Sequence, residues 1–124
     1  MVQGVGSTSS GVALPLWHVT LTVAGDPVPD VDLRTGLEQL AQERPFLLAV
    51  RYSPDRAEVR YWDEAEDVDD AAALALRIWA EHRASCRLPA WRVVGVEVID
   101  RDTVRARGVD RPATPLIAAG VGPL

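Results

Sequence analysis

The stretch Leu16–Val23 (LWHVTLTV) alternates with a period of two, which puts Trp17, Val19, Leu21 and Val23 on one face and His18, Thr20 and Thr22 on the other. That is the pattern of a strand with one apolar and one polar side. The run Gly25-Asp26-Pro27-Val28-Pro29-Asp30 follows as a turn and loop. Leu33, Leu37, Leu40 and Ala41 then recur at helical spacing and predict a helix to about Arg44. Asp30 or Asp32 would cap it, Gly36 would weaken it, and Pro45 would stop it. Phe46–Ser53 and Ala57–Asp63 are two strand-like runs flanking Pro54-Asp55-Arg56, a connection suited to a hairpin. In the first run Phe46, Leu48, Val50 and Tyr52 share a face opposite Leu47, Ala49 and Arg51. In the second, Val59 and Tyr61 lie opposite Glu58, Arg60 and Trp62.

The acidic segment Asp63–Asp70 leads into the strongest helical pattern, about Val68–Cys86, with negative charge at the positive end of the helix dipole. Val68, Ala71, Ala75, Ile78, Trp79 and His82 fall on one face, and Asp70, Arg77, Glu81 and Ala84 on the other. Leu88-Pro89-Ala90 is a break. Trp91–Asp100 then alternates as a fourth strand, with Val94, Val96 and Val98 opposed to Val93, Gly95, Glu97 and Ile99. Asp100–Arg107 suggests one short helical turn capped by Asp100 or Asp102. The domain organisation expected is a loose leader over residues 1–13, one α+β domain over 14–107, and a Pro/Gly/Ala-rich arm over 108–124. The arm has no period of its own and is either disordered or extended along a partner.

Strand, helix, strand, strand, helix, strand is the order of a ferredoxin-like βαββαβ sandwich. Right-handed crossovers then predict a four-stranded antiparallel sheet in the order 4-1-3-2 with two helices on one face. The first strand is central in that arrangement. If its apolar side meets the helices, then His18, Thr20 and Thr22 point to the open face. Glu58, Arg60 and Trp62 join them from the third strand, Glu97 or Val93 from the fourth, and Arg51 lies at the far edge.

The chain has 124 residues, enough for one hydrophobic core. A net charge of −5 with a pI near 4.9 argues against a nucleic-acid partner, since phosphate binding needs clustered cations. All basic residues are Arg, which reflects GC-rich coding. Cys86 stands alone, so no intrachain disulfide forms, and no CxxC or Cys/His spacing suggests zinc. No apolar run approaches the roughly 20 residues of a membrane span. The N-terminus is a poor signal peptide, and the expected location is cytoplasmic.

His18, Thr20, Arg60, Trp62 and Glu97 form the sharpest constellation, with Thr22 and Arg51 beside them. A neutral imidazole between an Arg and a carboxylate could act as a general base, with Arg holding an anion. The competing accounts are a face that water simply wets and a face that stacks in a homodimer with Trp62 as anchor. His82, on an apolar helix face, is expected in the core, bonded to a carbonyl. No metal site is expected, because His18 and His82 fall on opposite sides of the sheet, and no cofactor is expected. The acids Glu64, Glu66, Asp67, Asp69 and Asp70 do not fit a calcium loop. Arg77 and Arg83 are expected on a solvated face, and Cys86 as a small buried apolar group rather than a nucleophile. No GxGxxG, Walker or GxSxG pattern occurs.

The stretches WHVTLTVAGDPVP, VRYWDEAEDVDDAAALALRIWAEHRAS and WRVVGVEVIDRDT resemble a small family of uncharacterised, actinobacteria-restricted proteins, the actinobacterial signature proteins. The resemblance spans Trp17–Thr103 and implies a bacterial cytosolic protein. It carries no catalytic motif. The function expected is a non-enzymatic binding, regulatory or protein-interaction module. It would act as a homodimer that presents its open face to a protein or a small anion, without nucleic acid or membrane. The alternative is a small enzyme of the dimeric α/β-barrel kind, with His18 as base and Arg60 or Arg51 holding an acidic substrate.

Overall fold

The computed structural model describes residues 14–44, 47–109 and 120–124, without the side chains of Leu48 and Val109. The expected leader over 1–13, the stop at Pro45, the position of Phe46 and most of the 108–124 arm lie outside the described residues. The elements in chain order are β1 (Leu16–Ala24), α1 (Asp30–Glu43), β2 (Leu47–Ser53), β3 (Arg56–Glu64), α2 (Val68–Cys86), β4 (Arg92–Asp100), α3 (Arg101–Val109) and β5 (Gly120–Pro123).

They build a mixed α+β structure around one five-stranded sheet, in the order β4-β1-β3-β2-β5. The first four strands are antiparallel neighbours in the expected order, with β1 central between β3 and β4. Two expectations need correction. The sheet has five strands rather than four, because β5 adds in parallel to β2. Arg51 therefore lies inside the sheet, not at its edge. The segment after β4 is also a helix of nine residues rather than a single turn. Asp100 caps it, its carboxylate accepting from the Thr103 amide at 2.7 Å. The Thr103 hydroxyl and then its amide hold the Asp100 carboxyl below its ordinary value.

One layer of side chains holds the sheet to α1 and α2. Val19, Leu21 and Val23 from β1, Val50 and Tyr52 from β2, and Ala57, Val59 and Tyr61 from β3 are buried. They meet Leu33, Leu37 and Leu40 of α1 and Ala75, Ile78 and Trp79 of α2. Each fully buried Leu or Val contributes roughly 1.5–3 kcal/mol by leaving water. Helix α1 lies over β2 and β5, while α2 lies over β1 and β4. The Trp79 and Trp91 rings stack at 5.9 Å, and each indole N–H is satisfied, by Pro89 O at 2.9 Å and Asp26 O at 2.8 Å. A Cβ at Gly25 would run into the Trp91 ring, so that turn needs glycine.

The helix ends differ in how they are closed. Asp67 caps α2, its carboxylate accepting from the Asp70 amide at 2.8 Å. At the other end Arg87 turns left-handed (φ 55), and the Leu88 amide reaches back to Arg83 O at 3.0 Å. For α1 the cap position is Pro29, without a side-chain cap bond. Asp30 and Asp32, expected as caps, sit in the first turn and act only through charge on the dipole.

Two bulges correct the face assignments on β2 and β4. Thr22 pairs with Gly95 but Val23 with Val93, so Val94 is an extra residue and Val93 turns to the core side. Between β2 and β3, Arg60 pairs with Ala49 but Tyr61 with Leu47. Leu47 thereby joins the core, on the side opposite to that expected. A bulge inserts one residue and so reverses the alternation beyond it.

Candidate functional site

The side of the sheet away from α1 and α2 carries the polar residues singled out above, arranged in cross-strand rows. His18 lies between Ile99 of β4 and Trp62 of β3. Thr20 lies between Glu97 and Arg60. Thr22 lies between Gly95 and Glu58, and Glu58 in turn pairs with Arg51 on β2. The unbulged β1–β3 register puts His18, Thr20, Thr22, Arg60 and Trp62 on one surface, and the pairings of Glu97 and Arg51 add them to it.

Charge on this face is already partly paired. Arg60 bonds Glu58 Oε1 through Nε at 3.2 Å and Nη2 at 2.9 Å. Helix α3 turns back onto the polar side, where Arg107 comes within 3.6 Å of Glu97. Arg51 Nη1 donates to Gly120 O at 2.7 Å and Val50 O at 2.9 Å, which ties β5 to β2. The expected grouping of imidazole, guanidinium and carboxylate is therefore present as neighbours but not as a bonded triad.

The His18 ring meets Trp62 edge-on, with centroids 5.4 Å apart at 79°. Its Nδ1 is buried without a hydrogen-bond partner. Burial, with help from Arg60 and Arg107 and against the pull of Glu97, holds the imidazole below its ordinary value of 6.5. The shift favours the neutral imidazole, and among the described residues no carboxylate orients its ring. Two concavities open elsewhere: one of about 450 Å³ beside Trp17, Glu64 and Asp100, and one of about 210 Å³ beside Pro29, Leu33 and Arg87. Neither includes His18.

A second cluster lies where the C-terminal ends of α1 and α2 meet. Gly36 packs against the end of α2, where a Cβ would come within 2.7 Å of Cys86 O. This backbone approach brings Glu43, two turns further along α1, to the last turns of α2. Glu43 Oε1 pairs with His82 Nδ1 at 2.7 Å and accepts from Ser85 Oγ at 2.8 Å. Gln39 Nε2 donates to the other carboxylate oxygen at 3.1 Å. The bonds from His82, Gln39 and Ser85 hold the Glu43 carboxyl down at about 2. Buried Cys86 Sγ lies 3.8 Å from Ser85 Oγ. Burial, opposed by the Ser85 contact and reinforced by Glu43, pushes its thiol up, so it is not an activated nucleophile.

The expectation of a core His82 bonded to a carbonyl is corrected: it is bonded to a carboxylate and stays partly exposed. Its side chain is 19% exposed and its partner is a carboxylate 39 positions earlier. Sequence reasoning missed Glu43 and Ser85 altogether and treated Cys86 as isolated. One signal was available: His82 and Cys86 are four residues apart on a helix, so they share a face.

A comparison with curated proteins finds no match. Among solved structures the chain is similar to a REP-associated tyrosine transposase bound to a REP hairpin, at 19% identity and a TM-score of 0.41. The match covers 80% of this chain and 64% of that one, and nothing about activity follows from it. No helix among the described residues is long and apolar enough to cross a membrane. Residues 16–115 match the family described as Domain of unknown function (DUF8830), a span that holds β1 through α3 and both clusters, and the chain belongs to that family.

Proposed function

We propose that the chain is a non-enzymatic interaction module, a ferredoxin-like core with an added parallel strand, that pairs with a second copy of itself through the polar sheet face. The observation that carries this reading is the row Glu97–Thr20–Arg60, with opposite charges either side of the central strand. A two-fold axis running along β1 between two stacked faces sets Arg60 against the partner's Glu97, and Glu97 against the partner's Arg60. The contact is self-complementary, as an isologous interface requires. Half-buried Trp62, in the next row, supplies the aromatic anchor such interfaces favour. The setting proposed is the bacterial cytosol, with a small anion or another protein as further occupants of the face.

A second reading, an enzyme with His18 as base, is favoured by the neutrality of that imidazole. It is disfavoured by the orphaned Nδ1, since a catalytic histidine needs its second nitrogen held. Light-scattering mass separates the outcomes for the pairing. The full chain is expected to be a dimer, Arg60→Glu a monomer, and Arg60→Glu with Glu97→Arg a dimer again. A monomeric parent chain, or a dimer indifferent to both changes, overturns the proposal.

A further inference from the structure

We infer that Glu43, His82 and Cys86 form a binding site for a zinc-like divalent transition-metal ion at the junction of α1 and α2. The inference is independent of the pairing proposed above. His82 and Cys86 lie one helical turn apart on α2 and project from the same face. Glu43, the last residue of α1, is carried to them by the Gly36 contact. The three candidate ligand atoms, a nitrogen, an oxygen and a sulfur, all lie within 4.8 Å of one another.

Those distances fit a tetrahedral ion after a small adjustment. Metal–ligand bonds of ~2.0–2.3 Å place neighbouring ligand atoms roughly 3.3–3.6 Å apart. The Glu43–His82 pair, now at 2.7 Å, would open by less than one ångström to admit the ion, while the wider separations, up to 4.8 Å, would close by about one ångström through side-chain rotation. The donor set selects among ions: thiolate and imidazole suit zinc, whereas magnesium and calcium demand oxygen. The surroundings have the form of a supporting shell, with Gln39 Nε2 already holding the second oxygen of Glu43 at 3.1 Å. Ser85 Oγ stands 2.8 Å from the first oxygen, where it can serve a fourth ligand or a bound water. The Cys86 thiol forms the buried wall, while the Glu43 and His82 side chains keep 24% and 19% of their surface in solvent, an entry path for the ion.

The competing account is a hydrogen-bonded tie between two helix ends, with the thiol a bystander. Cobalt distinguishes the two, because sulfur ligation has its own optical signature. The full chain, stripped of metal by chelation, is titrated with Co²⁺ and then with Zn²⁺. One equivalent of Co²⁺ is expected to bring a thiolate-to-cobalt charge-transfer band and the visible bands of a tetrahedral ion, all displaced by Zn²⁺. Cys86→Ser is expected to lose the charge-transfer band. His82→Gln, which keeps an amide donor toward Glu43, is expected to weaken binding by more than about tenfold. Circular dichroism checks that each variant folds. If Cys86→Ser does not fold, His82→Gln, at a partly exposed position, decides the matter. No charge-transfer band in the parent chain, or unchanged binding in His82→Gln, overturns the inference.

Discussion

The chain has two histidines, and their surroundings are built in different ways. His18 belongs to a face made by a sheet register, where each neighbour is fixed by strand pairing. Its second nitrogen has no partner, and its nearest aromatic, Trp62, touches it only by the ring edge. His82 belongs to a cluster made by two helices that cross closely at Gly36, and it is bonded to a carboxylate shared with Ser85. The first arrangement leaves a buried ring nitrogen unsatisfied among the described residues. The second ties a ring nitrogen to a carboxylate between helix ends. Strand pairing fixes which neighbours a histidine has without satisfying its ring, whereas a close helix crossing brings it a bonded partner from far along the chain.

The largest difference expected between the two surroundings lies in the tryptophan near each histidine. Trp79, three residues before His82, is buried, stacked on Trp91 and bonded to Pro89 O. Trp79→Ala should cost about 3–5 kcal/mol in urea unfolding, the scale for emptying a large aromatic site. Trp62→Ala, half-buried on the polar face, should cost less than about 2 kcal/mol by the same measurement. Equal losses would mean that the polar face is part of the core.

A smaller effect is the pH response of His18. The unfolded chain binds a proton on His18 near the ordinary 6.5, whereas the folded chain resists it. Stability is therefore complete above about 6.5 and falls as pH drops below it. His18→Gln should remove that slope and leave stability at pH 8 nearly unchanged. A slope that survives in His18→Gln would place its origin elsewhere.

The smallest effect belongs to the other cluster, at lower pH. Folded Glu43 stays ionised down to about 2, whereas unfolded it protonates near 4.5. Its contribution is present above about 4.5 and lost as pH falls toward 2. Glu43→Gln should flatten the acid limb of the stability curve in that window. A limb unchanged by the substitution would show that the His82 and Ser85 bonds hold the carboxylate no better than water does.

How far each region could be read from sequence follows from its construction. The alternation in β1 and β3 runs unbroken, so period two alone places His18, Thr20, Thr22, Arg60 and Trp62 together. On β2 and β4 a single extra residue reverses the pattern, and Leu47 and Val93 changed faces accordingly. No apolar period announces a bulge. Gly120-Val121-Gly122-Pro123 has no alternation either, and its place beside β2 is fixed by tertiary pairing and by Arg51. Half of the helix-end cluster was local, in the spacing of His82 and Cys86. The other half, Glu43, arrives from 39 residues away because Gly36 lacks a side chain.

The docking of β5 bears on how the protein avoids aggregation. The β2 sequence LLAVRYS combines branched, aromatic and apolar residues, the composition that recruits foreign strands when its backbone is left unpaired. Four residues of β5 occupy that side, and they include two glycines and a proline. Pro123 has no amide to offer a further chain, and glycines make a poor template for growth. The parallel strand thus acts as a terminator: it satisfies β2 and presents the solvent with an edge that discourages the next addition.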